Sequence, residues 1–146
     1  MISNTEKGKR FQFSAKGAVE QWVGLPFELE VKLPVGNPPK LHAFDLASLD
    51  RKYVGEAKAF SWTQSGNNPS AKITTLRESV QYLQHLPKEV KAFIVIKHSS
   101  YPRKKETLAN YFVRMNHHLL GSIAILELNE EDGKVVAIHG ALNNPR

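Results

Sequence analysis

The chain has 146 residues, the size of one ordinary domain whose core needs no metal or disulfide staple. It has no cysteine, which excludes disulfides and thiolate zinc sites and fits a cytoplasmic protein, no apolar run long enough to span a membrane, and no secretory-signal pattern in MISNTEKGKRFQF. Lys and Arg outnumber Asp and Glu by 20 to 14, a formal charge of +6 that suits either a solvated surface or a polyanionic partner such as nucleic acid.

Residues 1–13 read as a flexible or edge-pairing arm. Residues 16–27 read as a short helix with Ala18, Val19, Trp22 and Val23 on one stripe, stopped by Gly24 and Pro26. Alternation in 27–34 marks a half-buried strand, and VGNPP (35–39) a turn. Strands follow at 41–50 and 51–62, then a polar loop at 63–72. Residues 73–86 form a helix with Ile73, Leu76, Val80 and Leu83 on one stripe, ended by Pro87. The β-branched run 91–99 is a buried strand. Residues 106–121 form a helix with Leu108, Tyr111, Phe112, Met115 and Leu119 buried and Gly121 as its C-cap. Strands at 122–130 and 134–140 flank the turn EDG. No repeat and no linker interrupts this order, so a single mixed α/β domain is expected over 1–146.

The strand YVGEAKAF poses the functional question. Its period of two puts Val54, Glu56, Lys58 and Phe60 on one face. The other face carries Tyr53, Gly55, Ala57 and Ala59, small enough for a helix to approach closely. Charges on a buried strand face need partners. The preceding strand offers one, because in a hairpin Asp45 lies beside Glu56. Two adjacent carboxylates repel, and their pKa values rise unless a cation sits between them. Oxygen ligands select a hard ion such as Mg²⁺ or Mn²⁺.

Asp45, about ten residues, then Glu56-Ala57-Lys58 on the next strand resembles the PD-(D/E)xK nuclease superfamily, with its restriction-endonuclease-like fold. The expected order over residues 14–98 is similar to that family's core of a helix, a three-strand meander, a helix and a strand. The later helix and strands would extend the sheet into a mixed sheet flanked by helices. The resemblance implies metal ligation by Asp45, Glu56 and the Ala57 carbonyl, and a water-orienting role for Lys58. It makes Glu20 a supporting acid in the first helix. Phe44 stands where the name-giving motif has Pro. The implied activity is hydrolysis of nucleic acid, DNA first, by metal-activated water, leaving a 5′-phosphate and a 3′-hydroxyl. A homodimer follows by analogy with small nucleases of this fold. The run from Gly55 to Leu83, with that from Arg103 to Gly121, is also similar to a group of small bacterial proteins of this core whose function is unassigned.

Weaker nucleic-acid candidates flank the strand. Trp62 offers a ring to a base, and Gln64 and Asn67 offer polar contacts. Arg103, Lys104 and Lys105 cluster at a helix start, and Arg114 extends that basic track. Each equally suits an ordinary loop, core or surface position. Glu78 and Tyr82, four apart, resemble a Gln-x-x-x-Tyr feature of some nucleases but read as a helix-surface pair. The six histidines show no metal spacing and read as structural or surface residues; Lys97 has no assigned role. The first rival to this reading is a silent nucleic-acid- or protein-binding module of the same fold; the second is a non-nuclease enzyme or a structural accessory within a larger complex.

Overall fold

The computed structural model describes residues 2–62, 69–100 and 105–142. The first helix, α1, runs from Asn4 to Val23. The Ser3 hydroxyl opens it by accepting the Glu6 N–H at 3.1 Å. Phe11, Ala15, Val19 and Val23 recur every fourth residue and form its buried face. Residues 4–13 are therefore helix, not an arm. Phe11, fully buried, anchors turns whose polar composition otherwise looks like a solvated tail. Trp22 is off the buried stripe and 36% exposed, contrary to expectation. Gly24, at φ 84°, closes the helix by donating its N–H to the Glu20 carbonyl.

Among the described residues six strands form one sheet in sequence order: β1 (Phe27–Val35), β2 (Lys40–Ser48), β3 (Tyr53–Lys58), β4 (Lys91–Lys97), β5 (Ala124–Leu128) and β6 (Val135–His139). The pairs β1/β2, β2/β3 and β5/β6 are antiparallel, while β3/β4 and β4/β5 are parallel. The parallel steps are bridged by α2 (Ser70–Gln84) and α3 (Leu108–Leu120). Crossovers of one hand stepping the same way land on the same face. Accordingly α2 and α3 share one core with Val54, Ile94 and Ile125, and α1 shares the other with Tyr53, Phe93 and Leu126. The mixed α/β class expected from the sequence is the one observed. Among the described residues, no helix is long and apolar enough to cross a membrane.

The small face of β3 does receive a helix. Phe93 packs over Gly55, where any Cβ would collide with its ring, and Phe27 meets Phe93 edge-on at 6.1 Å. In α3 the buried stripe is Leu108, Ala109, Phe112, Asn116 and Leu120. Met115 and Leu119, expected inside, are instead exposed. Asn116 takes the inward place because its amide is satisfied there, donating to the Phe112 carbonyl and accepting from Arg77 Nε.

One local bend shapes the site. Phe27 and Leu29 in β1 face the α1 core, whereas Val31, Leu33 and Val35 face the α2/α3 core. The switch occurs at Glu30, which has a left-handed φ of 53°. In β2 the same switch falls around Asp45, with Leu46 toward α1 and Phe44 toward α2/α3. The β1–β2 ribbon thus turns over. Its pairing with β3 is confined to Leu46 opposite Gly55 and Ala47 opposite Val54.

Candidate active site

Beyond Leu46 the strands β2 and β3 part, and the gap is bridged by two carboxylates. Asp45 Oδ2 accepts the Ala57 N–H at 2.9 Å, and Glu56 Oε2 accepts the Asp45 N–H at 3.1 Å. Each side chain satisfies a backbone donor that an ongoing ladder would have used. In a strand a residue's C=O leaves on the same edge as its N–H, so the Ala57 carbonyl also faces this gap. Lys58 Nζ stands 3.9 Å from Asp45 Oδ2, an ion pair too long for a hydrogen bond.

Two further side chains complete the cluster. Gln12, from α1, donates to Asp45 Oδ1 at 3.0 Å. His42 Nε2 lies 3.0 Å from Glu56 Oε1, and its ring stacks on Tyr82 of α2 at 3.8 Å with an interplanar angle of 13°. Neither is singled out by the sequence, where His42 reads as a structural or surface residue. Glu56 is only 3% exposed. Burial first, and the neighbouring Asp45 second, push its carboxyl up to about 8. Burial also lowers the His42 pKa. Burial thus disfavours the charged form of both partners in the His42–Glu56 hydrogen bond.

Gln12, Asp45, Ala57 and Lys58 of this cluster line a groove of about 790 Å³ between the first three turns of α1 and the C-terminal ends of β3 and β4, whereas Glu56 and His42 do not. Lys7, Lys9, Arg10, Lys58, Lys72 and Lys97 line it, against Glu30, Asp45 and Glu130. Lys72 is tied to the Ser61 carbonyl at 2.8 Å. A smaller recess of about 430 Å³ is lined by Glu78, Gln81, Tyr82 and His85 on α2.

The structure brings together Asp45, Glu56, Ala57 and Lys58, as the hairpin register anticipated. It does not bring Glu20 there. That carboxylate accepts the Phe27 N–H at 2.8 Å and pairs with Lys16, which lowers its pKa. Gln12 is the α1 residue at the site, and Glu20 lies two turns on, about 12 Å along the axis. Trp62 is buried against Tyr111, ring to ring at 5.2 Å, so its face is not offered to a base. Arg114 is not an open cation either, since Glu106 holds it at 2.7 Å and raises its pKa. Lys105 is exposed but does not line the groove. Gln64, Asn67, Arg103 and Lys104 lie outside the described residues. Lys97, given no role from the sequence, lines the groove.

Among the described residues there is no group of three or more His, Cys, Asp or Glu side chains arranged around a common ion. The donors present are two carboxylates and a backbone carbonyl. That set suits Mg²⁺, which keeps several waters and is commonly held by one or two carboxylates, and it does not suit a fully caged ion. No protein-family model, curated protein or solved structure matches the chain.

Proposed function

We propose that the chain is a divalent-metal-dependent phosphodiesterase acting on nucleic acid, a nuclease of restriction-endonuclease-like core with DNA as its first-choice substrate. The observation that carries this reading is the junction of Asp45, Glu56 and Lys58 where β2 and β3 part, with Asp45 and Lys58 lining a groove rich in cations and Glu56 buried behind them. The order of a helix, three meandering strands, a helix and a parallel strand supports the same core.

Asp45, Glu56 and the Ala57 carbonyl would hold Mg²⁺ or Mn²⁺, which when bound supplies Lewis-acid polarisation and a more acidic water. Lys58 places an ammonium beside Asp45, where it stabilises negative charge developing on a phosphodiester. Gln12 fixes the Asp45 carboxylate from one side, and His42, steadied by Tyr82, fixes Glu56 from the other. Glu56 must give up its proton to serve as a ligand, and burial raises its pKa, so metal binding should strengthen as pH rises.

One observation favours a silent binding module of the same fold: all four carboxylate oxygens of Asp45 and Glu56 already have a protein partner. Each oxygen keeps a second lone pair, so these partners do not preclude a cation. The experiment is cleavage of linear, circular, single-stranded and branched nucleic acids in Mg²⁺ and Mn²⁺, wild type beside Glu56→Ala. Metal-dependent cutting that vanishes in the variant is the expected result. No cutting by either protein, or equal cutting by both, would leave the binding module in its place.

A further inference from the structure

The first half of α1 is unusual for a helix that buries one face. Lys7, Lys9 and Arg10 line the groove, and with Lys97 across from them they form no ion pair among the described residues. Cations left without partners around a concavity raise the local concentration of anions. The groove's floor is low, with Ala57 from β3, Ala59 just past its end and Gly8 from α1, so a chain of phosphates can approach the backbone closely. The row of cations leads to Lys58 and Asp45 at the strand gap. A second feature lies on the same helix, outside the groove's lining. Phe13 is 69% exposed, off the buried stripe of Phe11, Ala15 and Val19. It follows Lys9 by four residues and Arg10 by three, which puts its ring on their side of the helix. Nothing in the fold needs an aromatic ring there.

From the charge and the ring together we infer that α1 is the strand-binding wall of the site: Lys7, Lys9, Arg10 and Lys97 hold the phosphates of an unpaired nucleic-acid strand, and Phe13 stacks on one of its bases. The ring decides between paired and unpaired substrate. In a duplex the base faces are already stacked, whereas a single strand or a frayed end offers one, and base–aromatic stacking is tolerant of sequence. The surface deepens the proposed function, on which it rests for its biological sense, but it binds through groups that take no part in metal ligation.

The test is binding without metal, so that it does not depend on cleavage. A labelled single-stranded oligonucleotide and its blunt duplex are titrated by fluorescence anisotropy in EDTA across a salt series. The proteins are wild type, Lys7→Glu/Arg10→Glu, Phe13→Ala, and Lys52→Glu/Lys88→Glu, whose charges flank β3 and β4 at their opposite ends. All the substituted side chains are exposed, and far-ultraviolet circular dichroism checks that each variant is folded. The expected result is single-strand affinity lowered at least tenfold by the α1 double variant. Its salt slope should be shallower by about 1.4, from two phosphate contacts at about 0.7 each. Phe13→Ala should weaken the single strand several-fold and leave the duplex unchanged. The inference is overturned if wild type does not bind, if the two double variants are equally affected, or if the duplex binds more tightly and Phe13→Ala changes nothing. A protein that binds in this way yet never cuts would retain the strand-binding wall and lose the nuclease reading.

Discussion

Glu56 makes stability fall as pH rises, and the size of the fall can be worked out from its surroundings. Its carboxyl titrates near 8 in the folded protein and near 4.5 as a free side chain. Between those values the folded state holds a proton that the unfolded state has lost, so stability declines with rising pH. The contribution is fully present below pH 4.5, is lost progressively up to about 8, and is flat above. One proton is worth about 1.4 kcal/mol per pH unit, so on the order of 4 kcal/mol disappears between roughly pH 5 and 8. For a chain of this size that is on the order of 10 °C in Tm. Glu56→Gln isolates the effect, because the amide can still donate to His42 and accept the Asp45 N–H while carrying no titration. Thermal melts at half-unit steps should show wild type and variant together near pH 5, with the variant melting on the order of 10 °C higher near pH 8. Parallel curves across the window would refute a carboxyl held protonated by burial and by Asp45.

Phe11→Ala should cost about 3–5 kcal/mol in urea unfolding, the penalty of a core aromatic, whereas a residue in a loose arm would cost nothing. Gly55→Ala should cost about 1–3 kcal/mol in the same assay, because the new methyl meets the Phe93 ring. His42→Ala removes the partner of Glu56 Oε1 and should lower Mn²⁺ affinity about 10–100-fold with the helix content unchanged by circular dichroism.

The parts of the site that were legible in the sequence are those that obey strand periodicity. Glu56 and Lys58 share a face by their spacing, and a hairpin between β2 and β3 brings Asp45 to Glu56. Gln12 was hidden because the first three turns of the helix that carries it hold only Phe11 and Phe13 as strongly apolar residues, and only Phe11 is buried. Glu20 drew attention by residue type, but helix rise carries it two turns past the site to the start of β1. His42 was hidden for a different reason. It reaches Glu56 because the β1–β2 ribbon turns over at Glu30, and a left-handed glutamate leaves no mark in residue pattern. The α3 stripe failed in the same spirit: Asn116, a polar residue, holds an inward position through Arg77 and the Phe112 carbonyl, while Met115 and Leu119 stay outside.

The most direct test of the proposed centre is calorimetric titration of wild type and Asp45→Asn with Mn²⁺ near pH 7, in two buffers of different ionisation heat. Asp45 and Glu56 acting as a cation site predict one binding event in wild type, loss of it in the variant, and proton release on binding, since burial and Asp45 raise the Glu56 pKa. Absence of binding in wild type, or equal binding by the variant, would contradict the assignment of these carboxylates to a metal centre.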